Sequence, residues 1–171
     1  MRSLLLVFAN ICLLRRGPEH VPTLPWFVAV VVAANLLVSF VVSRNVSGAL
    51  PPLPLLTSLC VTMATTAAIT WFILNMRGFE ARYPATITAM LGCDLLFTVV
   101  IGIIATALGG ISAGPVATGI VATIGFWSIA VNGFILHRAA GVSVMTGFVI
   151  AFAITLFGFV LANAAVGQAA P

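Results

Sequence analysis

The chain has 171 residues, of which 62% are hydrophobic and only 6% are charged, and its formal net charge is +4. A soluble domain carries about a quarter charged residues, so this composition excludes a water-soluble globular fold and predicts an integral membrane protein. The seven basic residues are all arginines scattered between apolar runs, which excludes the clustered basic surface of a nucleic-acid-binding protein.

The first twenty residues, MRSLLLVFANICLLRRGPEH, place an apolar run between arginines. Residues 3–14 are too few to cross a membrane, which takes about 20 residues, but on a helix their apolar side chains cluster on one side. We therefore predict that residues 1–20 form an interfacial amphipathic helix that lies flat on the membrane. A cleaved signal peptide is the alternative, although no small-x-small cleavage site follows the run.

Five further apolar runs have the length of a membrane-spanning helix. They cover about residues 25–43, 54–76, 85–109, 115–136 and 142–165. Proline stands at or just before the start of the first four runs, where its missing N–H costs nothing, and Ser143 is a suitable N-cap for the fifth. The predicted fold is therefore an all-α integral membrane protein with one domain, residues 1–171, in which a five-transmembrane-helix bundle follows the interfacial helix.

The connections between these runs are short, which predicts that consecutive helices are antiparallel neighbours. The fifth run also carries two pairs of small residues at a spacing of four. These pairs are Gly147 with Ala151 and Gly158 with Ala162. Such spacing lets helix backbones approach closely, so we expect these residues to pack against other helices of the chain, with a homodimer interface as the alternative.

The distribution of arginine predicts the orientation in the membrane. If the N-terminus is cytoplasmic, six arginines face the cytoplasm and Arg44 alone faces the other side. Short cytoplasmic loops carry such an excess of basic residues, so we predict a cytoplasmic N-terminus and a C-terminus outside. The absence of lysine is typical of GC-rich genomes and favours a bacterial inner membrane.

Asp94 lies in the middle of the apolar stretch TITAMLGCDLLFTVV, residues 86–100. At a rise of about 1.5 Å per residue, Asn35 and Thr66 reach nearly the same depth in the first two spans. A bare carboxylate at that depth costs about 2.5–3.5 kcal/mol. We predict an intramembrane polar cluster of Asp94, Asn35 and Thr66, in which Asn35 or Thr66 hydrogen-bonds to a neutral Asp94. The alternative is a protonatable site on a transport path.

The sequence offers no catalytic set. An enzyme would need a nucleophile with a base, a metal triad or paired carboxylates. Cys93 and Asp94 are adjacent on a helix, so their side chains diverge by about 100°. The three cysteines lie inside apolar runs without the spacing of metal ligands. We therefore predict a protein that is not an enzyme, with no catalytic residues, no cofactor and no metal site.

The stretch FWSIAVNGFILHRAAGVSVMTGFVIAFAITLF, residues 126–157, has Trp127 within a helix, then Gly133, and then the short basic turn His137-Arg138 before the last helix. It resembles the Yip family of Rab-GTPase-interacting membrane proteins and their bacterial relatives. The stretch RGFEARYPATITAMLGC, residues 77–93, is similar to the loop ahead of that family's third helix. The resemblance implies five membrane helices and a cytoplasmic N-terminus. Rab binding does not carry over, because family members that bind Rab proteins have a long cytosolic region before the first helix.

The sequence therefore favours a non-catalytic, Yip-like membrane protein that organises the membrane or binds partners. The expected partners are the lipid bilayer, other membrane proteins and further copies of the chain. The alternative is a small transporter or channel subunit that uses the intramembrane carboxyl of Asp94.

Overall fold

Five long helices, at the positions along the chain that the sequence predicts, account for most of the chain. The computed structural model describes residues 8–14, 17, 18, 21, 23–47, 51–108 and 114–169. The helices are α1 (Pro25–Ser47), α2 (Pro52–Met76), α3 (Tyr83–Ala107), α4 (Pro115–Ala140) and α5 (Val144–Ala169), with a 3-10 turn at Glu80–Arg82. All five are long and apolar enough to cross a membrane, and the described residues contain no strand. The prediction of an all-α five-helix membrane bundle is confirmed.

The helix starts follow the local chemistry expected for them. Proline occupies the first or second position of α2, α3 and α4, where no backbone donor is lost and the fixed φ suits the first turn. At the start of α5 the hydroxyl of Ser143 accepts a hydrogen bond from the N–H of Thr146 at 3.1 Å, as an N-cap does. The preceding turn needs Gly141, whose φ of 63° lies in the left-handed region.

The order of the helices around the bundle differs from their order in the chain. The most extensive packing joins α4 to α5, α2 to α5, α1 to α3 and α3 to α4, while α1 and α2 touch over a smaller area. The expectation that consecutive helices are neighbours holds for α3 with α4 and for α4 with α5. α2 also touches both α1 and α3, but its most extensive packing is with α5. A short connection limits distance but does not choose a partner, and the side chains that allow close approach make that choice.

Small residues in α5 are what bring its neighbours close. A Cβ atom added at Gly133 of α4 would lie 2.7 Å from the Cα of Phe148, and one added at Gly147 would meet the carbonyl oxygen of Gly133. On the α2 side, Gly158 faces Thr62, and both Ala151 and Ala162 are buried. The small-residue pairs of α5 therefore pack inside the chain, as expected, and are not available as a homodimer interface.

Two arginines of the α2–α3 loop cap the end of α4. Arg77 donates to the carbonyl oxygens of Ala140 and Gly141, and Arg82 donates to that of Ala139, each at 3.3 Å. The last carbonyls of a helix have no partner within the helix and carry partial negative charge. The guanidinium groups supply both hydrogen bonds and charge, so they fasten the α2–α3 loop to the α4–α5 turn.

The N-terminal segment, defined here as residues 8–14, packs against the bundle with Leu13 exposed. Phe8 and Ile11 are buried in the main apolar core, and the ring of Phe8 occupies the space where a Cβ of Gly92 would stand. The indole N–H of Trp127 donates to the carbonyl oxygen of Cys12 at 3.1 Å. The start of α3 and the end of α4 lie on the same side of the bundle. Gly92 is about 13 Å from the start of α3, and Trp127 is about 20 Å from the end of α4. The segment therefore contacts the middle of α3 and α4.

This placement differs from the flat, interfacial helix expected from the sequence. The reason is that Gly92 opens a groove on α3 that takes the apolar stripe of the segment, so protein covers the stripe in place of lipid headgroups. Residues 8–12 of the segment are helical, and the last carbonyls of a helix need partners from outside it. The bond from Trp127 provides such a partner for Cys12. Residues 1–7, 15, 16, 19 and 20 of the predicted helix lie outside the described residues.

Cys12 and Cys93 provide a test of this placement, because Cys12 packs against the core cluster that contains Cys93. Mild oxidation of the protein in membranes should join them in an intrachain disulfide, which mass spectrometry of the cleaved protein detects as one linked peptide pair. Cys60→Ala should leave the product unchanged, since Cys60 is exposed on α2, and Cys12→Ala should abolish it. Modification of native Cys12 by a membrane-impermeant maleimide would instead place the segment at the surface.

Candidate functional site: a polar cavity around Asp94

Asp94 lies in the middle of α3 among polar residues from three other helices. It is eleven residues beyond Tyr83, or about 16 Å along the helix axis. Asn35 of α1, Thr66 of α2 and Ser128 of α4 stand ten to twelve residues from the matching ends of their own helices. Alternate helices run in opposite directions, so these four side chains share nearly one level near the membrane midplane.

The carboxyl group of Asp94 accepts two hydrogen bonds from α4. Ser128 Oγ lies 3.2 Å and Asn132 Nδ2 lies 3.3 Å from the same oxygen, Asp94 Oδ1. Ser128 and Asn132 are four residues apart, so they project from one face of α4. Hydrogen bonds of this kind inside a membrane are worth about 0.6–2 kcal/mol each. They tie α3 to α4 and offset part of the cost of placing Asp94 in hydrocarbon.

Asn35 and Thr66 have other partners, so the predicted hydrogen bond from one of them to Asp94 is corrected. Asn35 Nδ2 donates to the carbonyl oxygen of Leu91 at 2.9 Å, and Thr66 donates to the carbonyl oxygen of Thr62 at 3.0 Å. Depth along a helix does not fix the direction in which a side chain points. A threonine hydroxyl in a membrane helix also has a ready acceptor in the carbonyl one turn earlier.

The three predicted residues nevertheless line one cavity. Its volume is about 290 Å³, and its walls come from α1, α2, α3 and α4. Its polar lining consists of Asn35, Ser39, Thr62, Thr66, Asp94, Thr98 and Ser128. This volume accommodates several water molecules, because a single water needs about 10–15 Å³ by this measure.

Asp94 also lines a second cavity of about 290 Å³, on the α5 side. Thr62, Thr66 and Ser128 belong to both cavities, while Asn132 and Thr155 belong to the second alone. Asp94 is thus half-buried, with polar space on two sides. We call the two cavities together the Asp94 cavity.

The Asp94 cavity contains a carboxyl group without a basic neighbour at its level. The basic residues of the five described helices are Arg44, His137 and Arg138, and each stands in the last turn of its helix. Neutral donors alone therefore stabilise an ionised Asp94. Beside Asp94, the amide oxygen of Asn132 is unsatisfied, since Asn132 Oδ1 is buried and has no hydrogen-bond partner. Nearly all buried polar atoms in proteins have a partner, so a buried acceptor without a donor calls for an explanation such as a bound water or ion.

Ser128 and Asn132 are the site residues that the sequence analysis missed. The available signal was their spacing, because they are polar residues four apart on an otherwise apolar stretch of α4. Their distance from the inner end of α4 also places them at the depth of Asp94. Counting depth in all five spans, rather than in the first three, would have included them.

The geometry suits binding rather than covalent chemistry. Cys93 is buried against the N-terminal segment, whereas its neighbour Asp94 faces the cavity, so the two side chains point to different surroundings. Within the part of the chain that the structure describes, no three His, Cys, Asp or Glu residues come together as a metal-binding group. The cavity instead presents one carboxyl group, amides and hydroxyls.

Comparison with protein-family models, with curated proteins and with solved structures gave no match.

A double-mutant cycle tests the partners of Asp94. Asp94→Ala and Ser128→Ala should each lower the free energy of unfolding. Their effects should be non-additive by about 0.6–2 kcal/mol, because both remove the same hydrogen bond. Thr66→Val serves as the matched control and should combine additively with Asp94→Ala, since Thr66 donates to its own helix. Unfolding in mixed micelles measures the parent and the five variants, and coupling of Asp94 to Thr66 instead would reverse the assignment.

Proposed function

We propose that the protein is a small transporter or channel subunit that admits a polar solute to the Asp94 cavity. The observation that carries this proposal is the polar space on both sides of an intramembrane carboxyl group. Ionisable residues inside membrane spans occur at substrate and ion pathways. Binding sites of secondary transporters also lie near the bilayer midplane between helices.

A purely structural role for Asp94 would call for a different environment. A neutral acid that only joins two helices is best enclosed by close packing, since a void loses dispersion contacts and stabilises nothing. Asp94 instead borders open space lined by Thr62, Thr66 and Ser128. All five helices contribute polar groups to that space, more than a single interhelical hydrogen bond requires. This arrangement supports solute binding over the non-catalytic, Yip-like organising role.

Cysteine accessibility tests whether the cavity admits water and solute. In a background with Cys12, Cys60 and Cys93 replaced by alanine, Thr66→Cys should react with a small hydrophilic methanethiosulfonate applied to membranes. The matched control is Ala64→Cys, two residues away at a similar depth on the exposed face of α2. This control should remain unlabelled because a thiol in lipid does not ionise.

The outcomes of this test separate the two roles. Labelling of Thr66→Cys alone would support an aqueous pathway. Equal protection of both positions would contradict the transporter proposal and favour the organising role that the resemblance to the Yip family implies.

We also propose that the N-terminus is cytoplasmic and that the membrane is a bacterial inner membrane. The support is the distribution of arginine, in which Arg77, Arg82 and Arg138 all stand at one end of the bundle and Arg44 stands at the other.

Single cysteines at Ser47 and Glu80, in the cysteine-free background, test this orientation. An impermeant maleimide applied to intact cells should label Ser47→Cys, and labelling of Glu80→Cys should require permeabilised cells. The opposite pattern would invert the topology, and labelling of both positions from one side would be incompatible with a single orientation.

A further inference from the structure

The part of the Asp94 cavity on the α5 side presents an excess of hydrogen-bond acceptors. Its three threonine hydroxyls each donate to the carbonyl one turn earlier in the same helix. Thr62 donates to Ser58, Thr66 to Thr62 and Thr155 to Ala151, at 2.9, 3.0 and 2.9 Å. Because each hydroxyl proton is engaged, the oxygen offers its lone pairs to the cavity.

The α3 and α4 walls add further acceptors. Ser128 and Asn132 direct their donor groups at Asp94 Oδ1, which leaves Asn132 Oδ1 buried and without a partner. The cavity therefore combines one carboxyl group, one unsatisfied amide oxygen and several hydroxyl oxygens, contributed by α2, α3, α4 and α5. The chemistry that such a lining recognises is a cation that contacts several oxygens at once.

The charge and the ligand type narrow the class of cation. One carboxylate neutralises one positive charge, whereas a divalent ion would leave a net charge in the hydrocarbon, which is costly. Oxygen ligands without thiolate or imidazole suit hard ions rather than zinc or copper. A proton on Asp94 would provide one O–H donor, enough for a single acceptor such as Asn132 Oδ1, and would leave the hydroxyl oxygens without a ligand.

We infer that the Asp94 cavity binds a monovalent alkali-metal cation. Asp94 supplies the charge, and Asn132 Oδ1 with the hydroxyl oxygens of Ser128, Thr62, Thr66 and Thr155 supplies neutral ligands. The inference rests on the proposed function, because it names the class of solute that enters the same cavity. The sequence predicted no metal site from its cysteines and histidines, and an oxygen-only site is of a different kind.

Sodium binding to the purified full-length protein in detergent tests the inference. The thermal midpoint should rise and saturate as NaCl replaces choline chloride at constant ionic strength, because a ligand that binds only the folded state stabilises it. Asp94→Asn keeps an acceptor for Ser128 and Asn132 but removes the charge, so it should lower the affinity for ²²Na⁺ about thirtyfold or more. Asn132→Ala should also weaken binding and provides a second variant if Asp94→Asn does not fold.

Thr57→Val is the matched control. Thr57 bonds to the carbonyl of Leu53 in its own helix, as the cavity threonines do, but it lies outside the Asp94 cavity. This variant should keep the full response to sodium. If Asp94→Asn and Asn132→Ala keep the same response to sodium as Thr57→Val, the response is a general salt effect and the inference is overturned.

The remaining outcomes distinguish the inference from the proposed function. The thermal midpoint of the parent protein could fail to change with NaCl while Thr66→Cys still reacts with the hydrophilic reagent. That result would overturn the cation inference and would leave the proposed solute pathway intact. A response to pH that Asp94→Asn removes, without any response to sodium, would replace the alkali cation by a proton. A larger shift with CaCl₂ than with NaCl would likewise overturn the monovalent assignment.

Discussion

The hydrocarbon core offers no hydrogen-bond partner, so each polar group inside it must find one within the protein. Most of the interior contacts of this chain follow from that constraint. Threonine hydroxyls return to carbonyls of their own helices, and the amide of Asn35 reaches across to the backbone of α3. The indole of Trp127 satisfies a carbonyl of the N-terminal segment. Asp94 draws Ser128 and Asn132 together because no basic group stands at its level.

The close approach of helix backbones is the second feature that determines the architecture. Lipid does not drive helices together as water does, so small residues decide which faces pack. Gly133 and Gly147 bring α4 onto α5, and Gly158 lets α5 also accept α2. Gly92 leaves room on α3 for Phe8. The helices are therefore arranged around the polar residues of α2, α3 and α4, and these residues come to line a shared cavity.

The imbalance between hydrogen-bond donors and acceptors in that cavity is the observation that bears on its function. A bundle held together by interhelical hydrogen bonds needs matched pairs, and an unmatched buried acceptor is costly to it. Here the hydroxyl protons of Thr62, Thr66 and Thr155 are used within their own helices, while Asn132 Oδ1 has no donor. A positively charged ligand would resolve this imbalance and pair with the carboxyl group of Asp94, so the proposed transport and the inferred cation binding rest on the same structural feature.

The sequence by itself determined the solvent, the helices and the presence of a polar group at mid-membrane depth. Apolar run length and the positions of proline and Ser143 are local properties, and they act in the same way wherever the helix packs. Only the tertiary structure decided that α2 packs on α5, that Phe8 lies against Gly92, and that Asp94 bonds to Ser128 and Asn132 rather than to Asn35 or Thr66. Depth can be counted along a chain, whereas the direction of a side chain depends on how each helix is rotated against its neighbours. That rotation is set by contacts between residues far apart in sequence.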